Sequence, residues 1–564
     1  MPNKTMYIVR KNIHGKEYYY LAASFRKEGR VKTKTIAYLG KTRKVAEEKK
    51  KELEKERKKE AEKPEKRVEG KEKKRIVITN IDDLATFCKR KGFVYPTAEI
   101  YGGLAGFWDF GVFGAELKNN IKKEWKDFFV QEREDIVNID GSIITHPKVW
   151  QTSGHVESFK DVSVICKKCK KPNKIEHREL GKAVCEFCGG ELDKESAKSL
   201  NLMFTTQIGP LEKTSVKSYL RPETAQLIFT NFKQVVENQR LKLPFGIAQI
   251  GKAFRNEIAP RDFLFRTREF EQMEIEYFIM PKENCPYKIP DIKVFVYSTE
   301  MQEKKKEAEE MKISEALKRK IIKRDWHAYW LSNCLLWFRR LGCNMKNFRI
   351  RQHPKEELAH YSTDCWDIEY RFPFGWKELL GIADRADYDL SRHEKFSGKD
   401  LKMFIEGKGK ILPHVVAEPS FGVERAFLVF MLEAYEYDNK RQNIVLRLDP
   451  KLVPIKAAIL PIVKKPGFVK IARKIYDELK KEFNVFYDSG GSIGRRYARQ
   501  DEAGTPVCIA IDGQTLKDST VTLRDRDSTE QIRIKIENLK EIIGRVIKGE
   551  SLLKLGRIVK TRVK

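Results

Sequence analysis

Between Lys41 and Arg75 the chain has almost nothing to bury. The stretch KTRKVAEEKKKELEKERKKEAEKPEKRVEGKEKKR is nearly all lysine, glutamate and arginine. A segment without an apolar face cannot join a core, so 41–75 reads as a charged linker, helical or disordered, and it divides the chain. Before it, residues 1–40 alternate polar and apolar positions, with turn signals at HG and EGR, which predicts a basic, β-rich N-terminal arm. Residues 1–75 hold 26 Lys and Arg against 12 Asp and Glu, so 14 of the net charge of +31 lies in this leader. Charge concentrated in one segment favours a polyanionic partner; a solubility tail or a docking arm for a protein is the other reading.

Globular patterning begins at RIVITNIDDLATFCKRKGFVYP. The chain of 564 residues is 41% hydrophobic, enough for two to four domains with full cores. No run is long enough to span a bilayer and the N-terminus has no apolar signal region, so the expectation is a cytoplasmic protein with no membrane partner. A mixed α/β body extends from 76 to 445. It is interrupted at 162–195 by a cysteine module and at 283–345 by a mainly helical insertion, whose Trp326, His327, Trp330 and Trp337 read as packing residues. Residues 453–564 alternate strand, amphipathic helix and strand, a separate α/β domain.

Four of the ten cysteines stand apart. Cys166, Cys169, Cys185 and Cys188 form C-x2-C-x15-C-x2-C, the spacing of a four-thiolate zinc site, and Gly189 and Gly190 suit a knuckle turn. Four thiolates leave no open position, so the zinc would be structural. Cys334, Cys343 and Cys508 read as ordinary buried thiols.

No Walker A and no G-x-G-x-x-G is present, so a nucleotide would need another device. The candidate is FRNEIAPRDFLFRTREFEQME, Phe254 to Glu274. It contains Arg255, Arg261, Arg266 and Arg268, five carboxylates and several phenylalanines, but no lysine. Arginine forks suit phosphates and stack on flat rings. The segment reads as strand, polar tip and returning strand, with Arg268, Phe270, Gln272 and Glu274 on one face of the return. A salt-bridged hairpin without a ligand is the bland reading, and it leaves the absence of lysine unexplained.

This segment resembles motif 2 of the class II aminoacyl-tRNA synthetases, in the form found in glycyl-tRNA synthetase of the archaeal and eukaryotic-like dimeric type. EPSFGVERAFLVFMLEAY, from Glu418, resembles motif 3. YLRPETAQLIFTNF, QHPKEELAHYSTDCWDIEYRFPFGWKELLGIADRADYDL and YDSGGSIGRRYARQDEAGTPVCIAIDGQTL are similar to that family too. So is the motif 1 region, GFWDFGVFGAELKNNIKKEW with HPKVWQTSGHVESF. The resemblance spans roughly residues 83 to 545 with its motifs in family order. It implies a multidomain α+β and α/β fold: an antiparallel-sheet catalytic domain with a zinc-knuckle insertion, a helical insertion and a C-terminal anticodon-binding domain.

The resemblance implies a homodimeric glycine–tRNA ligase, with glycine, ATP with Mg²⁺ and tRNA(Gly) as expected partners. The implied catalytic residues are Arg255, on the α-phosphate, and Arg425, on the γ-phosphate. Glu257 would lie near the adenine amino group, Phe270 would stack on adenine and Arg268 would reach the distal phosphates. Asn256, Phe265, Arg266, Thr267 and Glu269 would complete the motif 2 side of the ATP site. Glu378 (the magnesium ligand), Leu379, Gly422, Val423 and Glu424 would line its other side. Glycine would lie against Glu223, Phe270, Glu271, Gln272, Met273 and Glu274, and against Glu418, Pro419, Ser420, Phe421 and Gly422. The text IEHREL departs from the family's arginine after the first cysteine pair, where Arg178 is the candidate replacement. The alternatives are another class II synthetase, such as a threonyl or prolyl enzyme, or a non-catalytic nucleic-acid-binding paralogue such as a polymerase accessory subunit. RPETAQ and EPSFG beside FEQME favour the glycyl enzyme, and three standing arginines favour catalysis.

Overall fold

The computed structural model describes residues 6–13, 16–27, 30–40, 42–43, 45–47, 49, 80–175, 181, 183–210 and 215–559. Arg178 and most of the charged stretch 41–75 therefore lie outside the described residues. The chain forms two compact units, 1–74 and 75–564. In the first, Met6–Ile13, Lys16–Lys27 and Arg30–Gly40 make a three-stranded antiparallel sheet in sequence order.

The second unit is built on a nine-stranded sheet. Its middle six strands are antiparallel: Phe348–Gln352, Asp364–Phe372, Gly375–Asp384, His414–Gly422, Glu269–Ile279 and Phe245–Phe254. Ile136–Ile139 adds in parallel at one edge, and Lys293–Tyr297 in parallel at the other, where Glu309–Lys312 closes it.

The segment 283–345, read above as a mainly helical insertion, thus also supplies two strands of the main sheet. Alternating KVFVY pairs with Phe348–Gln352. The helix Asp325–Arg340 then covers the sheet, burying Trp326, His327, Trp330 and Trp337.

Period-two alternation sorts the sheet's faces. On Glu269–Ile279, Met273, Ile275, Tyr277 and Ile279 enter the largest core together with Trp330, Trp337, Phe421 and Phe427. Phe278, from the opposite set, packs with Phe229 and Phe232 of the helix Ala225–Gln239. That helix covers only part of this second face. Phe270, Gln272 and Glu274 on the same side are left to line a cavity.

The C-terminal sheet has six strands, parallel around Ala457–Pro461 and antiparallel from Val507–Ile511 onward. Residues 495–502 belong to the helix Ile493–Ala503. Two of its charges are structural. Buried Arg496 donates to the Pro461 and Asp488 carbonyls (2.6 and 3.2 Å), and Asp501 accepts a two-pronged pair from Arg524 (2.8 and 2.9 Å). No helix among the described residues is long and apolar enough to cross a membrane.

Candidate active site

The cavity encloses about 400 Å³ between three neighbouring strands, Glu269–Ile279, His414–Gly422 and Gly375–Asp384. Volumes of this order accommodate a small ligand. Strand pairing brings distant residues together: Glu274 lies opposite Ser420, Ser420 opposite Gly381, and Gly381 opposite Asp367.

One end is arginine-rich. Arg255 leaves the hairpin beside Phe270, its guanidinium 5.3 Å from the ring centroid, and its Nε donates to the Pro222 carbonyl (3.0 Å). Arg266 lies 4.0 Å from Glu257. Arg425 stands in the first turn of the helix Val423–Ala434, where a helix N-terminus also favours anions. Its guanidinium sits 4.6 Å from the Phe265 ring and pairs with Glu378 at 3.2 Å. The Glu378 side chain is 50% exposed and opens on the cavity, and Arg425 holds its carboxyl below the usual range. Deeper in the wall, His353 Nε2 and Asp367 Oδ2 are 2.6 Å apart.

The other end is acidic and buried. Glu223, Glu274 and Glu418 line it, each under a tenth exposed. The turn that carries Glu223 is clamped by Arg221, which donates to the carbonyls of Lys252 and Gly141 (2.6 Å each). A Cβ at Gly251 would stand 2.0 Å from that guanidinium, so a side chain there would push the clamp aside. Burial alone would raise the Glu223 carboxyl; His155 at 3.1 Å and Arg385 instead hold it well below its usual range. Arg385 forks onto Asp389 (2.7 and 2.9 Å), donates to Glu418 (2.9 Å) and lies 3.7 Å over the Tyr361 ring. Thr224 donates its hydroxyl to Glu274 and its N–H to Gln272 (3.1 Å), whose amide reaches Ser420 (3.2 Å).

Of the residues singled out in the sequence, Arg255, Glu257, Phe265, Arg266, Thr267, Phe270, Glu378, Leu379, Gly422, Glu424 and Arg425 line the cavity, as do Glu223, Gln272, Glu274, Glu418 and Ser420. The others do not, because a strand presents only alternate residues to one side. Met273, Phe421 and Val423 are buried in the core behind the sheet, and Pro419 is not among the lining residues. Glu269 pairs with Lys252, and Glu271 with Lys118 and Lys122 (3.0 and 3.2 Å). Asn256 is exposed outside the lining.

Arg268 does not stand on the face that alternation gives it. The returning strand starts at Glu269, and the Arg268 guanidinium turns to the carbonyls of Glu257 (3.0 Å) and Ala105 (2.9 Å); Arg266 lines the cavity instead. Glu424 lines it too, but its carboxylate is committed to Lys118 (2.6 Å) and the Glu271 N–H (2.8 Å). Sequence reasoning missed His155, Tyr361, Arg385 and Asp389. Arg385 and Asp389 lie in the ADRADYDL text, His155 in SGHVESF and Tyr361 in ELAHYST; what joins them is tertiary packing of two helices, a loop and a strand end.

Away from the cavity, the four thiols of the cysteine module converge, all within 4.8 Å of one another, with Cys166–Cys188 and Cys169–Cys185 at 3.6 Å. Tetrahedral zinc with Zn–S of ~2.3 Å would need sulfurs ~3.8 Å apart. A Cβ at Gly190 would stand 3.3 Å from two of these sulfurs, and Gly189 has φ of +68°. The donor set and spacing fit the ion.

Comparison with known proteins accounts for this arrangement. Residues 211–435 match the family described as tRNA synthetase class II core domain (G, H, P, S and T), and residues 456–545 match the anticodon binding domain. The cavity is thus that of a class II aminoacyl-tRNA synthetase core. A glycine–tRNA ligase from Thermobifida fusca is 42% identical over 494 residues, 83% of this chain and 98% of that protein. One from Geobacillus thermodenitrificans is 43% identical over 497 residues, 83% and 97%. The chain belongs to the glycine–tRNA ligase family, and it is an enzyme. The solved prolyl-tRNA synthetase of Cryptosporidium parvum, complexed with L-proline and AMP, shares the fold at 15% identity, with a TM-score of 0.50 over 84% of this chain and 79% of that one.

Proposed function

We propose that this cavity activates glycine with ATP and hands the glycyl group to tRNA(Gly). The glycine carboxylate attacks the α-phosphorus of ATP and pyrophosphate leaves. A terminal ribose hydroxyl of the tRNA then attacks the adenylate carbonyl, and AMP leaves. Such transfers need positioning and charge neutralisation more than a protein nucleophile. Arg255 would hold the α-phosphate with adenine on Phe270 and Glu257 near its amino group. Arg425 would hold the γ-phosphate, and Arg266, in the place first expected of Arg268, the distal oxygens. Glu378 would hold Mg²⁺, which supplies charge neutralisation on the triphosphate. At the acidic end Glu223, Glu274 and Glu418 would take the ammonium, with Gln272 and Ser420 beside them. The walls would exclude any side chain, so discrimination is steric and no editing site is required.

The observation that carries this reading is the polarity of one cavity, with buried carboxylates at one end and three arginines at the other. Around it we place a structural zinc on Cys166, Cys169, Cys185 and Cys188 and a cytoplasmic homodimer. The dimer is supported by the motif 1 resemblance and by Ile100, Tyr101, Leu104 and Val112, exposed at 87, 86, 57 and 77% in one stretch of chain. Glu418→Ala tests the ammonium subsite: the KM for glycine should rise by about a hundredfold while that for ATP changes little. An equal rise in both would contradict it.

A further inference from the structure

Glu276 has no part in the function proposed for the cavity, yet among the described residues it is a fully buried carboxyl left without a hydrogen-bond partner. It follows Glu274 by two residues on the same strand, so it points to the same side of the sheet but lies beneath the cavity rather than lining it. It is fully buried, and neither carboxyl oxygen has a hydrogen-bond partner. Oxygens of Glu274, Glu276 and Glu418 all lie within 4.8 Å of one another.

Three carboxylates cannot all stay ionised at such spacing in a buried site, because like charges and desolvation both favour the protonated form. Burial, together with repulsion from neighbouring carboxylates (Glu223 for Glu274, Glu418 and Glu274 for Glu276, Glu274 and Glu223 for Glu418), pushes all three carboxyls upward. The contacts decide which one keeps the proton. Glu418 has the Arg385 guanidinium at 2.9 Å, and Glu274 accepts the Thr224 hydroxyl. Glu223 has His155 at 3.1 Å, and Asp389 has the Arg385 fork. Arg385 directs its hydrogen bonds to those partners; its charge still acts on Glu276, but neither oxygen of Glu276 receives a hydrogen bond.

We propose that Glu276 is a neutral carboxylic acid and a positioning residue for the amino-acid subsite. Resting on the glycine reading of this cavity, it supports Glu274 and Glu418 from below at the spacing an ammonium requires, without adding a further anion. Glutamine has the shape of the neutral acid and should replace it, whereas alanine leaves a hole under the pair.

The test uses the full-length enzyme in glycine-dependent pyrophosphate exchange, with melting temperature followed in parallel. We expect E276Q to keep the glycine KM within about threefold of wild type, and E276A to raise it about tenfold or more with little change for ATP. Infrared difference spectra of E276Q against wild type should lose the carbonyl band of a protonated carboxyl. E276Q as damaging as E276A, or no such band, would overturn the proposal. E418Q separates the two claims: if it leaves the glycine KM unmoved, the glycine reading fails, and the infrared band alone decides the protonation of Glu276.

Discussion

Arg255 ends a strand and Arg425 opens a helix, and the sheet brings both to one cavity. Preorganised charge of this kind is worth about 3–4 kcal/mol per contact, a hundredfold or more in rate. Arg255→Ala and Arg425→Ala should therefore each cripple adenylate formation. Pyrophosphate exchange within a few-fold of wild type for either variant would count against the phosphate roles. Arg255 was legible because arginine recurs beside phenylalanine in a stretch without lysine, and Arg425 only through the motif 3 resemblance. Strict alternation also anticipated Phe270, Gln272 and Glu274. Runs of consecutive residues misled it: Met273 and Glu271 face away from their neighbours, and Arg268 precedes the strand and obeys a turn. Arg385 was illegible. Its partners Asp389, Glu418 and Tyr361 come from a helix, a strand and a loop, and no spacing announces their meeting.

Among elements, the cysteine module shows how far local spacing carries. Lys160–Cys166, Pro172–Ile175 and Leu192–Asn201 form a three-stranded sheet whose small core is Val162, Val164, Ile175 and Leu192 with two of the cysteines. So few apolar residues give little burial energy, and a metal is the usual remedy. The zinc proposal predicts about one metal per chain by elemental analysis, lost in Cys185→Ser together with protection of this sheet from hydrogen exchange. Metal-free protein with the module fully protected would refute it. The knuckle spacing was readable because four thiols must meet at one point. The edge strands Lys293–Tyr297 and Glu309–Lys312 were not, because short alternating runs lie beside a long helix whose periodicity dominates the segment.

At the scale of the whole molecule, the division of labour follows charge. The catalytic and anticodon-type domains belong to one compact unit, with Arg441 donating to Asp501 and to the Arg526 carbonyl (3.1 and 2.7 Å) between them. The leader's excess of 14 positive charges is a separate matter. Lysines that neutralise phosphates release counterions, so their effect fades with salt and carries little sequence information. Deleting residues 1–75 should leave pyrophosphate exchange unchanged, weaken tRNA binding at low salt and flatten the dependence of affinity on salt. Equal affinities and slopes would assign the leader to solubility or a protein partner. The central claim is that the polarised cavity activates glycine, and amino-acid-dependent pyrophosphate exchange across all twenty amino acids tests it most directly. Glycine alone should support rapid exchange, with alanine, serine, threonine and proline slower by roughly a hundredfold or more. Exchange driven as well by one of those four, or by no amino acid at all, would contradict the account.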